Sequence, residues 1–161
     1  MIRKASEKDI EAIGRLLEQV LLIHHDMRPD LFKEQGAKYT REQLREIIND
    51  PLKPIFVYVD GNGRVLGHLF TQIIHSEETF GTYAHTTMYL DDICIDEQHR
   101  HKAIGTALCE YVEEYARQNG IYSISAHVWD GNEKSMSLCR KRGFTPQKTV
   151  MEKIIQKDRT R

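Results

Sequence analysis

Two stretches of the chain carry residues whose types and spacing could do chemistry. In the first, Arg100-His101-Lys102-Ala103-Ile104-Gly105-Thr106, basic residues run straight into a helix-period segment. A strand that turns there directly into a helix aims the free backbone amides of residues 101 to 106 at one point, and such a point attracts phosphate. Arg100, His101 and Lys102 add side-chain donors, and an arginine can pair with two phosphate oxygens at once. Taken alone, the stretch reads equally well as a solvated basic turn. It holds one glycine, Gly105, where phosphate-cradling loops usually have two or three. Glycine is needed only where φ is positive or where a Cβ would meet the ligand, so Ala103 is the smallest substitute, on backbone expected to be already helical. The second stretch is "TTMYLDDICI", a strand-like run whose apolar face is broken by Asp91 and Asp92. Acids at such positions need a partner or a task. His127, near the end of another strand-like run, brings an imidazole that titrates near neutrality; its competing reading is a buried, hydrogen-bonded sheet histidine.

The rest of the composition bounds what these groups can serve. The chain of 161 residues is long enough for one core, so a single domain over 1–161 is expected, with about 157–161 a frayed tail. Hydrophobic residues make up 40%, charged residues 29%, and 23 Lys and Arg nearly balance 24 Asp and Glu. A net charge of −1 gives no long-range pull on a polyanion, which argues against nucleic acid as a partner and for a small anionic ligand. No window is apolar enough to span a bilayer and "MIRKASEKDI" has no apolar leader core, so no membrane role and a cytoplasmic location are expected. Cys94, Cys109 and Cys139 are an odd number without metal-ligand spacing, which fits free thiols. His24-His25 are adjacent, a poor geometry for one metal ion without further ligands, so no metal site is expected.

The elements that must position the two stretches follow from periodicity. "MIRKAS" suits a short strand, and Ser6 and Asp9 stand in capping-box spacing before Ile10, Ile13, Leu17 and Leu21 on one helical face. After a polar, mobile-looking loop, Thr40 opens "REQLREIIN", with Leu44, Ile47 and Ile48 facing inward. "IFVYVDGNGRVLGHLFTQII" is a hairpin around Asp60-Gly61-Asn62-Gly63. The acid-bearing strand comes next, then a helix with Ile104, Leu108, Val112 and Tyr115 inward, closed by Asn119-Gly120. "YSISAHVW" reads as a strand, "DGNEKSMSLCRKRG" as a short helix and "FTPQKTVMEKII" as a final strand pair or bent strand. Hairpin-linked strands followed by strand-helix-strand crossovers predict a mixed sheet with helices on both faces, in the α/β (α+β) class.

In this context Arg100 to Gly105 resembles the acyl-CoA pyrophosphate loop of the GNAT acyltransferase superfamily, in which Gln or Arg, two residues, Gly, one residue, and Gly or Ala recur. The resemblance extends along nearly the whole chain, through "LDDICIDEQHR", Asn132 and "CRKRGF". It implies a mostly antiparallel central sheet of six to seven strands, the fourth and fifth splayed apart. It further implies that acetyl-CoA is the cosubstrate, with Ile93, Cys94 and Ile95 offering strand-edge backbone groups to the pantetheine arm. The loop from Arg100 to Thr106 would hold the pyrophosphate, and Asn132, with Ser135, would also contact the cofactor. For Asn132 an N-cap role is the competing reading, and Ile93 and Ile95 can serve as core at the same time. The chain departs from the family pattern at Ala103, His101 and Cys139.

The activity implied is transfer of an acetyl group to a primary amine by direct attack. Asp91 then stands as general base, sharing the parity of Tyr89 on the strand, with His127 as its rival. Cys139 takes the place of the family's proton-donating tyrosine; a small core residue, with water protonating the leaving sulfur, is the stronger reading. The loops "LIHHDMRPDLFKE" and "HSEETFGTYAH" would flank the acceptor. Their acids Asp26, Asp30, Glu77 and Glu78, with Asp91 and Asp92, favour a cationic amine: a small amine, an amino-acid derivative, or a protein N-terminus or lysine. A catalytically weak CoA-binding regulatory module is the alternative, and a nucleotide-binding module lacks its glycines and ribose acid. Exposed strand edges near the C-terminus admit a homodimer.

Overall fold

The computed structural model describes residues 1–156; the tail expected to fray, 157–161, lies outside the described residues. The chain runs β1 (Ile2–Lys4), α1 (Ile10–Met27), α2 (Arg41–Asn49), β2 (Ile55–Val59), β3 (Val65–Ser76), β4 (His85–Ile95), α3 (Ile104–Gln118), β5 (Ser123–Ala126) and α4 (Glu133–Lys141). The five strands form one sheet in sequence order, antiparallel except for the parallel pair β4 and β5 that α3 connects.

Local chemistry sets the boundaries. The Asp60 carboxylate accepts from the amides of Asn62 and Arg64, both at 2.9 Å, and Gly63 takes φ +81°, which turns β2 into β3. At the start of α2 the Thr40 hydroxyl accepts from the Gln43 amide at 3.2 Å while the Gln43 side chain accepts from the Thr40 amide at 2.8 Å. Ahead of α1, Asp9 is buried and accepts two bonds from Arg3 (2.7 and 2.9 Å) and two from the amide and hydroxyl of Ser6 (2.8 and 3.0 Å). Strand β1 and helix α1 are thereby fixed to each other before any apolar packing is counted.

Two cores flank the sheet. On one face Ile10, Ile13, Leu16, Leu17 and Val20 of α1 and Leu44 of α2 cover Ile55, Val57, Val59, Phe70 and Cys94. On the other, Ile104, Leu108, Val112 and Ala116 of α3 cover Phe56, Leu66, Leu69 and Met88. Gly67 lets the end of β4 and the start of α3 close over β3. A Cβ there would stand 2.7 Å from Ile95 Cδ1 and 3.0 Å from the Cys94 carbonyl oxygen.

Strand number corrects the expectation of six to seven, since five are present among the described residues. The segment "FTPQKTVMEKII" contains no strand. It has the composition of one, but beyond Phe144 its amides make no backbone hydrogen bond among the described residues, and Val150, Met151, Ile154 and Ile155 are exposed. Strand propensity without a neighbour to pair with does not make a strand.

Asp9 gives the fold a pH-dependent term. Burial alone would push its carboxyl up, but the bonds from Arg3 and Ser6 outweigh this and hold it below the usual carboxylate range. Its contribution is therefore complete above about pH 4, the unfolded value, and is lost as pH falls through the lowered native value. Asp9→Ala is expected to cost about 2 kcal/mol in urea unfolding at pH 7, with a smaller difference from the parent as the pH is taken below 4.

Candidate functional site

Pairing between β4 and β5 runs from Thr87 with Ser123 to Leu90 with Ala126 and stops there, while β4 continues to Ile95. At that same point β4 carries one residue more than β3 can pair. Phe70 faces Asp92 and Thr71 faces Leu90, so Asp91 is a β-bulge. The two strands separate beyond it. Residues 92–95 pair with β3 on one edge and have no strand on the other among the described residues.

The bulge corrects the simple parity expected for Asp91. Regular alternation would put Asp91 on the α1 face; with the extra residue, Asp92 takes that place, two residues before the buried Cys94. Of the two acids expected to break the apolar face, only Asp92 is buried; Asp91 is partly exposed. Asp91 Oδ2 accepts from Lys38 Nζ at 2.7 Å and from the Tyr39 hydroxyl at 3.4 Å. A cavity of about 220 Å³ lies beside it, lined by Tyr39, Ile47, Lys53, Phe70, Thr71 and Gln72.

Asp92 faces His68 of β3, which is fully buried, with Nε2 3.9 Å from Asp92 Oδ1. That distance exceeds a hydrogen bond, and neither His68 ring nitrogen nor Asp92 Oδ2 has a hydrogen-bond partner among the described residues. Burial would raise the Asp92 carboxyl, but the neighbouring His68 and Lys38 outweigh it and hold it low. Burial likewise lowers His24, at the end of α1, against the pull of Asp92.

His127 lies one residue past the end of β5 and is exposed, contrary to the buried-histidine reading. Its Nδ1 is 3.2 Å from the Tyr89 hydroxyl, and the two rings lie 4.8 Å apart. Tyr89, Asp91 and His127 therefore gather at the point of divergence. Cys139 is not among them and is not core either: it is half-buried on α4, a helix with no fully buried residue, and burial pushes its thiol up. Asn132 caps α4, its side-chain oxygen accepting from the Ser135 amide at 3.2 Å, which leaves its amide nitrogen outside the cap.

Beyond the open edge of Ile93, Cys94 and Ile95, Asp96 anchors a short turn by accepting from the amide of Gln98 (3.1 Å) and pairing with His99 Nδ1 (2.9 Å). Arg100 Nε donates to the Ile95 carbonyl at 3.3 Å, which leaves the rest of its guanidinium at the loop. Helix α3 then starts at Ile104, its first bond running from the Ala107 amide to the Ala103 carbonyl at 2.9 Å. The amides of Ile104, Gly105 and Thr106 precede that bond and point out of the helix end.

The backbone here is not helical as expected. Ala103 has φ +58° and His101 φ +63°, both left-handed, while Gly105 lies inside the helix. A Cβ on Gly105 would meet Leu138, Ile93 and Ile95 only at 3.7 to 3.9 Å, which is ordinary contact. The conformation that favours glycine is thus borne by an alanine and a histidine. At Ala103 a left-handed residue meets the right-handed start of α3, a junction that turns successive amides inward and suits an anion.

Lys38, Tyr39 and His68 escaped the sequence reading, and His24 was weighed only as a metal ligand. His68 left a trace, a lone polar residue in "VLGHLF", but Lys38 lies in a polar loop with nothing to mark it.

The sequence profile of the Acetyltransferase (GNAT) family matches residues 20–144, and the chain belongs to that family. It is similar to the putative phosphinothricin acetyltransferase YwnH of Bacillus subtilis, at 27% identity over 145 residues covering 89% of this chain and 82% of that protein. The thialysine N-epsilon-acetyltransferase of Bos taurus is similar at 27% over 153 residues, with the same coverage of both. Among solved structures, a mutant of the BH1408 protein from Bacillus halodurans has the same fold, with a TM-score of 0.92 at 23% identity over 97% of this chain and 99% of that one. Acetyl transfer is the activity that family membership carries.

Left-handed alanine costs about 1 kcal/mol relative to glycine. Ala103→Gly is expected to raise stability by roughly that amount and to tighten acetyl-CoA binding in calorimetry; an unchanged or weaker affinity would mean the methyl is already accommodated.

Proposed function

We propose that the protein is an acetyl-CoA-dependent N-acetyltransferase acting on a cationic primary amine that approaches from the α1 and α2 side of β4. One juxtaposition carries the reading. The strand fork opens at a carboxylate that already binds an ammonium, and the same strand leads into a basic helix entry.

Acetyl-CoA supplies a thioester, which amines attack without a covalent enzyme intermediate. The open edge of Ile93, Cys94 and Ile95 suits an extended arm bearing amides, because backbone groups can pair with it as with another strand. Arg100, His101 and Lys102, with the amides of Ala103, Ile104, Gly105 and Thr106, would hold the pyrophosphate. Asn132 and Ser135 would add contacts from the start of α4.

Asp91 accepts the proton that the ammonium must lose before its nitrogen can attack. Its exposed flank lets that proton reach water. His127, joined to Tyr89 at the fork, is the rival for this task. Cys139 stands half-buried on α4, and water protonates the departing sulfur. An edge N–H beside the thioester carbonyl would stabilise the negative oxygen as attack proceeds.

The acceptor is a small cationic amine, an amino-acid derivative, or a protein N-terminus or lysine. The carboxylates Asp91 and Asp92 and the 220 Å³ cavity beside Asp91 support a cationic group on a modest side chain. The relative named for thialysine N-epsilon acetylation agrees with an amine acceptor. A cytoplasmic location, where the three thiols stay reduced, belongs to the same reading.

Following CoA release with a panel of amines tests it. Asp91→Asn is expected to lower kcat by about a hundredfold or more, the scale of a missing general base, with acetyl-CoA affinity little changed. If His127→Ala produces that loss instead and Asp91→Asn does not, the base is His127. Cys139→Ala is expected to cost far less than about a hundredfold. Tight acetyl-CoA binding with no transfer to any amine would leave a CoA-binding module in place of the enzyme.

A further inference from the structure

A nitrogen of the protein itself stands where the acceptor is expected. Lys38, on the segment between α1 and α2, places Nζ 2.7 Å from Asp91 Oδ2 and 3.7 Å from Asp92 Oδ2. The Asp92 side chain is 2% exposed and its Oδ2 has no hydrogen-bond partner among the described residues, so a buried carboxylate oxygen faces the ammonium. The Lys38 side chain keeps 37% of its surface exposed, and the Tyr39 ring lies 5.4 Å from Nζ. Asp91 is the first β4 residue beyond the last pair with β5, so the ammonium lies at the apex of the fork.

We propose that Lys38 is acetylated by the protein's own acetyl-CoA, as an acceptor in cis. The inference rests on the acetyltransferase reading above. Asp91 takes one proton from the Lys38 ammonium, and the freed lone pair attacks the thioester carbonyl carbon. A C–N bond forms and the C–S bond breaks. Of the two N–H protons lost, one ends on the CoA sulfur and the other passes from Asp91 to water. The product is a neutral amide, which no longer pairs with either carboxylate. Asp91 and Asp92 are left without their resident cation and are open to a cationic acceptor. Before that step, any such acceptor has to displace Lys38.

The test is to incubate the folded protein with deuterated acetyl-CoA and no amine, then read intact mass and map the label by proteolysis. One acetyl group on Lys38 is expected, at a rate that saturates with acetyl-CoA. It should fall about a hundredfold in Asp91→Asn and vanish in Lys38→Arg, whose circular dichroism should match the parent. Heat-unfolded protein should label slowly and without preference among lysines. Label absent from Lys38, or no faster there than elsewhere, in protein that binds acetyl-CoA by calorimetry and acetylates a free amine overturns this inference and leaves the enzyme reading standing. Protein that does not bind acetyl-CoA overturns both.

Discussion

Strand β4 contains one residue more than β3 can pair, and the geometry of the site descends from where that surplus falls. Because the bulge lies at Asp91, alternation is reset there, so Asp92 turns into the α1 side of the sheet and Asp91 turns toward Lys38. The kink coincides with the end of β5 pairing. One irregularity thus opens a backbone edge, puts a carboxylate at its mouth and buries a second one behind it. A regular ladder between β3 and β4 would have put Asp91, not Asp92, on the α1 side.

The buried half of this arrangement is held by charge rather than by hydrogen bonds. Removing Asp92 from water is costly, and the opposing attraction of Lys38 and His68 is strong only because the surroundings are apolar. His68 also packs edge-on against Phe70, which in turn stacks on Tyr39, so the polar cluster and the α1-side core share side chains. The loop that seemed polar and mobile from composition is therefore tied down at both ends: His25 Nδ1 lies 2.8 Å from the Phe32 carbonyl oxygen, and Lys38 pairs with the acids of β4.

Features set by near neighbours in the chain were legible in the sequence. The Thr40 capping box, the Asp60 turn, the inward stripes of α1 and α3 and the basic entry to α3 all depend on residues a few positions apart. What escaped depends on distant pairing. A bulge is a mismatch between two strands and leaves no periodic mark, so Asp91 and Asp92 could be singled out but the face each one takes could not be read. Lys38 reaches its partners across more than fifty positions of sequence. The left-handed backbone at His101 and Ala103 was hidden because neither residue advertises it. At the C-terminus the opposite error arose, for a strand-like composition suggested a strand where the chain pairs with no neighbour among the described residues.

That C-terminal segment is fastened by polar means. Glu152 pairs with Arg28 at 3.0 Å, Arg28 also binds Asp30 at 2.7 Å and lies over Trp129, and these groups are partly or largely exposed. Contacts of this kind weaken as added salt screens them over about 8 to 10 Å near physiological ionic strength, whereas the packing of α1 and α3 on the sheet does not. Ionic strength is therefore a handle that loosens the chain after α4 from the loop that follows α1 while the fork, the bulge and the helix entry keep their shape.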